Sequence, residues 1–348
     1  MLSYKPIAPI IAGFDGTRLD EQTRTAFEKL RPAGFILFKR NCESREQLEV
    51  LCQELRALSP LKQPLIFIDQ EGGRVNRIQW DPYIGPAAKD IGELFEKSPA
   101  EGLRAAELNG YIIASQLATY GITVDCLPVA DVPVAGAHDI IGDRAFSYEP
   151  KTVGALCAAT IKGLMAAGVY PVLKHLPGHG RAFADSHVEL PTVDTSYDGL
   201  AKTDFVPIQT NKDAAFIMTA HVKYTQLDSD NCATFSKHIL DNVLREDLGV
   251  SGLIVSDDLY MEALEGSLQE RANKSLEAGC DLLICGSSRI DGRFDKDRFE
   301  QMCALDVEAL TPQALEKLNS LPTLPQPQPE ILLEAVEEIR TLLPTLKV

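Results

Sequence analysis

Apolar residues along the chain fall into short unbroken runs, set apart by longer stretches in which they recur every three or four positions. The runs are Ile10–Phe14, Gly34–Phe38, Leu65–Ile68, Ile122–Leu127, Tyr170–Leu173, Ala215–Thr219, Gly252–Val255 and Asp281–Cys285. They are rich in Ile, Val, Leu and Phe and are continuous rather than alternating, which predicts β-strands covered on both faces. Between them, Arg45–Leu58, Glu101–Tyr120, Val153–Ala167, Ser236–Asp247 and Leu268–Ala278 carry helical spacing, and Gly168, Gly249 and Gly279 supply stops. Eight strands with intervening helices predict a single-domain α/β fold, a TIM-like (β/α)8 barrel. The long gaps from Ile68 to Ile122 and from Leu173 to Ala215 read as elaborated βα loops, where a barrel builds its site. The competing arrangement is an open doubly wound sheet, weakened because no GxGxxG follows the first strand. The barrel is assigned to residues 1–305 and a C-terminal helical extension packed on it to residues 306–348. In that extension a loop with Pro322, Pro325, Pro327 and Pro329 leads into an amphipathic helix from about Pro329 to Leu343.

Composition narrows the class. The 348 residues include 50 acidic and 34 basic side chains, for a net charge of −16. Such a surface repels phosphate backbones and anionic lipid heads, so neither nucleic acid nor membrane partners are expected. No apolar run approaches the ~18 residues of a bilayer span. The segment Met1–Phe14 holds two prolines and too little apolar length for a secretory signal. The eight cysteines form no CxxC pair, and no His stands at zinc-ligand spacing from two of them. They read as buried thiols in a reducing compartment, and the chain as a cytoplasmic protein with no metal site.

The candidate chemistry lies where strands end. Asp69 closes the third run, Lys174-His175 the fifth, His221 the sixth and Asp257-Asp258 the seventh, and three of six histidines fall within His175–His187. In a barrel these ends share one face, so residues remote in sequence converge there. There is no P-loop, GxSxG elbow or HExxH. Carboxylates and imidazoles with a Lys and several Arg suit either glycosyl transfer to water or metal-assisted hydrolysis.

Five ordered motifs narrow the choice. Asp69-Gln-Glu-Gly-Gly-Arg-Val, Lys174-His-Leu-Pro-Gly-His-Gly, Asp185-Ser-His187, Met218-Thr-Ala-His221-Val and Ser256-Asp257-Asp258-Leu259 resemble those of glycoside hydrolase family 3. The likeness runs from about Gly13 to Gly286 and is greatest to the cytoplasmic β-N-acetylhexosaminidase branch of bacterial peptidoglycan recycling. It implies a barrel without the second sandwich domain of larger members, and no metal or organic cofactor. Residue by residue, it implies that Asp257 is the nucleophile, His187 the acid/base and Asp185 the carboxylate that orients His187. Asp69, Arg77, Arg144, Lys174 and His175 match sugar-contacting positions. Asp258 is the rival nucleophile; alternatively, either Asp caps a helix over Leu259–Glu265. Arg77 could equally be a surface ion pair, Glu71-Gly72-Gly73 an architectural turn, and Asp131 a support to the site.

The implied reaction is removal of terminal β-linked GlcNAc with retention, from GlcNAc-1,6-anhydro-MurNAc with or without its peptide. The partner is thus a small carbohydrate or muropeptide. Other readings are a related β-glycosidase or a phosphorylase of the same family, and a non-catalytic sugar-binding barrel. A Schiff-base lyase or aldolase using Lys174 is a further one, which leaves Asp185, His187 and Asp257 without roles.

Overall fold

The computed structural model describes residues 6–186, 188–289 and 291–344. Eight parallel strands form one sheet: β1 (Ala8–Gly13), β2 (Pro32–Leu37), β3 (Leu65–Ile68), β4 (Val124–Asp125), β5 (Tyr170–Leu176), β6 (Phe216–Thr219), β7 (Leu253–Val255) and β8 (Leu283–Cys285). From β1 to β7 each strand pairs with the next, and β8 pairs with β1. A parallel bridge between Val255 and Leu282 joins the remaining edges and closes the barrel.

The unbroken apolar runs have a physical cause in this closure. Alternate residues point to opposite faces of a strand, and here both faces are dry. Ile11, Phe67, Val124, Val172, Phe216 and Ile284 fill the barrel interior, where Phe67 and Phe216 meet edge to face at 5.6 Å. Their neighbours Ile10, Ile66, Leu173, Ile217 and Ile254 pack outward under the helices.

The helices Arg45–Leu58 and Leu268–Ala278 have the bounds read from sequence, since Ser44 and Ser267 cap their starts. Gly279, at φ +114°, ends the second. The segment His238–Asp247 is helical but wound in the wider π form. The gap after β3 holds an irregular stretch followed by two helices, Ala88–Lys97 and Pro99–Tyr120. The expected helix over Leu259–Glu265 is absent, and the segment is a series of turns. Its carbonyls are taken elsewhere: Arg271 Nη1 donates to Leu259 O at 2.8 Å and to Met261 O at 3.2 Å.

The C-terminal segment meets the opposite end of the barrel from the site. Leu310, Ala314 and Leu318 join the interior cluster from below, with Ala314 and Leu318 on a helix, Pro312–Ser320. Tyr170, the first residue of β5, donates its hydroxyl to Pro322 O at 2.6 Å. The last helix, Pro329–Leu342, lies against Pro99–Tyr120, where Arg104 and Glu338 form a two-bond ion pair at 2.7 and 2.8 Å. All eight cysteines are free thiols, seven of them buried. Among the described residues no helix is long and apolar enough to cross a membrane.

Candidate active site

The C-terminal strand ends surround a cavity of about 510 Å³. Asp69, Arg77, Arg144, Lys174, His175 and Asp257 all border it, so six of the eight residues picked from sequence converge. His187 lies outside the described residues. Asp185 is half-buried on the loop after β5, one residue before Ser186, which reaches the cavity wall.

The loop after β3 is shaped by glycine. Glu71 N donates to Val75 O at 2.9 Å across a tight turn in which Gly72 and Gly73 take φ of +87° and +53°. A Cβ on Gly72 would stand 2.6 Å from Pro86 O, so the architectural reading of these glycines holds. Gln70 braces the same loop, accepting at Oε1 from Arg77 N at 2.9 Å. Asp69, Glu71 and Arg77 are thereby aimed into one space.

There they join a chain of alternating charge. Lys174 Nζ donates to Asp69 Oδ1 at 2.9 Å and to Glu71 Oε1 at 2.6 Å. Arg77 reaches Asp69 Oδ2 at 3.3 Å. Arg144 grips Glu71 with two bonds of 2.8 Å each, so its planar fork holds a carboxylate of the protein. Arg77 is therefore part of the cavity wall and not an isolated surface pair. Burial would raise the Asp69 and Glu71 carboxyls, but the Lys174 and arginine charges outweigh it. Asp69 is held well below the usual carboxylate range and Glu71 at about 2. Burial would lower the Lys174 ammonium, yet the two carboxylates hold it above its ordinary value. At 1% exposure and charged, Lys174 is poorly suited to attack a carbonyl as a free amine. Two of its three N–H donors are engaged, which leaves one for a ligand hydroxyl.

The Glu71 pair carries a stability signature. A depressed folded pKa contributes stability above the unfolded value, and that contribution fades as pH falls through the folded value. Glu71→Gln is expected to lose on the order of 3 kcal/mol at pH 7, the cost of breaking a buried pair. The deficit relative to wild type should shrink between pH 4.5 and about 2, as thermal melts across that range will show. A deficit unchanged with pH would mean that Glu71 acts through packing alone.

His175 is oriented from behind. Its Nδ1 lies 2.7 Å from Asp131 Oδ2, and Asp131, fully buried on the loop after β4, also accepts from His179 N at 2.6 Å. Burial would raise the Asp131 carboxyl, but the two histidines hold it below its ordinary value. The support role read for Asp131 is thus through His175. His221 is buried, with Nδ1 2.7 Å from Thr234 Oγ1 and Nε2 3.1 Å from Asp258 O. It braces the turn after β7 from beneath the cavity.

The two adjacent aspartates separate by geometry. Asp258 Oδ1 accepts from Gly286 N at 3.0 Å and Tyr260 N at 3.1 Å, tying the turn after β7 to β8. A Cβ on Gly286 would lie 2.5 Å from Asp258 Oδ2. Burial, opposed by those two N–H bonds, pushes the Asp258 carboxyl up to about 6. Asp258 therefore caps a turn, where the sequence suggested a helix. Asp257 accepts at Oδ1 from Asp258 N at 2.8 Å.

Glu71, His179 and Ser186 also border the cavity and were not picked as site residues from sequence, where Asp131 was read only as a support. Glu71 did carry a signal, a carboxylate two residues past a strand-end Asp, as did Asp131 beside a strand end. Among the described residues no group of three or more His, Cys, Asp or Glu is placed to hold a metal ion.

Residues 10–305 match the glycosyl hydrolase family 3 N-terminal domain. A β-hexosaminidase of Aromatoleum aromaticum is 36% identical over 333 residues, 93% of this chain and 91% of the relative. Native NagZ from Neisseria gonorrhoeae superposes with a TM-score of 0.84 at 30% identity, over 99% of this chain and 98% of its own. NagZ of the same organism in complex with N-trifluoroacetyl-D-glucosamine gives 0.80 at 32%, over 97% and 98% of the two chains.

Proposed function

Since the chain belongs to glycosyl hydrolase family 3 and is a glycoside hydrolase, we propose that it is a retaining exo-β-N-acetylglucosaminidase with Asp257 as nucleophile. The observation that carries this reading is the charged cradle Arg77–Asp69–Lys174–Glu71–Arg144, set in one cavity with Asp257 and His175. The cradle offers acceptors and donors to sugar hydroxyls, and Asp257 supplies a carboxylate in the same cavity to attack C1. The names of the relatives and the N-trifluoroacetyl-D-glucosamine in the gonococcal complex support N-acetylglucosamine as the sugar.

The reaction runs in two displacements. The Asp257 carboxylate attacks C1 as the glycosidic C–O bond breaks, and the His187 imidazolium gives its proton to the departing oxygen. Asp185 orients that imidazole. The glycosyl ester is then opened by water, whose proton passes to the neutral His187, and the C1–Asp257 bond breaks. Asp69, Arg77, Lys174 and His175 hold the sugar, joined by the N–H groups of Arg144 that Glu71 and Ile140 leave over. The substrate is GlcNAc-1,6-anhydro-MurNAc, with or without peptide, released during cell-wall recycling, and the compartment is the cytoplasm.

Paired 4-nitrophenyl β-glycosides test the sugar assignment. The N-acetylglucosaminide should exceed the glucoside in kcat/KM by roughly 10²-fold or more, as for sites that bond a polar substituent. Equal values would contradict it.

A further inference from the structure

The loop after β5 contains a buried pair that the two displacements leave without a role. His179 is 4% exposed and Ser186 3%, and His179 Nε2 lies 2.9 Å from Ser186 Oγ. Both border the cavity.

The two partners are anchored differently. At His179 the chain is fastened to the barrel, with His179 N on Asp131 Oδ1 at 2.6 Å and Arg181 Nε on the buried Asp204 at 2.6 Å. Between them, Gly180 packs so closely that a Cβ would lie 2.2 Å from Val132 O. Ser186 Oγ meets this anchored point through its hydrogen bond to His179. Asp185 precedes it in sequence and His187 follows.

The sense of the bond follows from the other ring nitrogen. His179 Nδ1 is buried and has no partner among the described residues. A buried N–H without an acceptor is the costlier defect, so the proton belongs on Nε2, which donates to Ser186 Oγ. Burial keeps the ring neutral by pushing its pKa down to about 4.

We propose that His179 and Ser186 are positioning residues: the His179 Nε2–H, anchored through Asp131, clamps Ser186 and so holds the Asp185–His187 segment for proton transfer. The proposal rests on the acid/base reading of His187, and two kinds of measurement keep them apart. Hydrogen exchange needs no activity. Ser186→Ala should speed amide exchange over residues 182–189 by roughly 3–10-fold, the equivalent of one ordinary hydrogen bond. Kinetics then reports the consequence. Ser186→Ala should lower kcat on a GlcNAc disaccharide by about 10–100-fold with KM little changed, the scale of a small misplacement. The 4-nitrophenyl substrate, which needs little proton help, should stay within about threefold in the glycosylation step. In a His187→Ala background Ser186→Ala should add nothing. His179→Leu should behave like Ser186→Ala, while His179→Gln, which keeps an amide N–H near the Nε2 position, should recover most of the loss. Unchanged exchange, equal losses on both substrates, or a His179→Gln as impaired as His179→Leu would overturn the clamp. A His187→Ala variant with no leaving-group dependence would instead overturn the acid/base reading, and with it the purpose of the clamp.

Discussion

Asp257→Ala is expected to lose on the order of 10³-fold or more in kcat, with the protein folded and the sugar still bound. That loss corresponds to about 4 kcal/mol of transition-state stabilisation. Among the described residues, the other carboxylates bordering the cavity are already engaged. Asp258, the neighbour, is tied to Gly286 N and Tyr260 N, and burial pushes its carboxyl up to about 6. Asp69 and Glu71 are paired with Lys174. A small anion offers a positive control, because the space vacated by the carboxylate lets azide attack C1 from the same side. The product would be the α-glycosyl azide, and turnover of an activated aryl substrate should rise with azide concentration. Asp258→Ala should behave differently. It leaves two backbone N–H groups without their acceptor, so its primary loss is stability, about 1–3 kcal/mol for each if water does not reach it. A folded, inactive Asp258→Ala beside an active Asp257→Ala would move the nucleophile by one residue.

The second large effect belongs to His187 and depends on the leaving group. A sugar alkoxide is strongly basic, so its departure needs a proton delivered in the transition state, whereas nitrophenolate is already a stable anion. His187→Ala should therefore slow the disaccharide by ~10²–10⁴-fold more than the 4-nitrophenyl glycoside in the glycosylation step. Deglycosylation should slow as well, because the same imidazole must then take a proton from water. Azide should accelerate the aryl substrate in this variant by intercepting the glycosyl ester. Asp185→Ala should show a milder form of the pattern, since the imidazole stays but is poorly held. The comparison is kcat/KM for both substrates in wild type and variant. Equal losses would mean that His187 binds the sugar or packs the loop and does not carry the proton.

Much of this was legible in the residues themselves. The eight strands were readable because burial on both faces leaves no polar position in runs such as Leu65–Ile68 and Leu253–Val255. Helix ends were readable where a cap was local, as at Ser44, Ser267 and Gly279. Residues at strand ends, Asp69, Lys174 and Asp257, were readable because barrel topology sends them all to one face. What was not legible depends on pairing between loops. Arg144 looked like a fork aimed at a sugar, and nothing in its own segment showed that Glu71 would hold it at 2.8 Å. His175 depends on Asp131 across the β4–β5 boundary. The turn over Leu259–Glu265 has helical composition, but Arg271 takes the Leu259 and Met261 carbonyls, a contact set by tertiary packing.

The central claim is a covalent intermediate on Asp257, and product stereochemistry tests it most directly. Proton NMR of an aryl N-acetyl-β-glucosaminide, recorded within the first minutes before mutarotation, should show the β-anomer of N-acetylglucosamine appearing first, because two displacements at C1 restore the starting configuration. An α-anomer appearing first would mean that water attacks C1 directly, and Asp257 would not be the nucleophile.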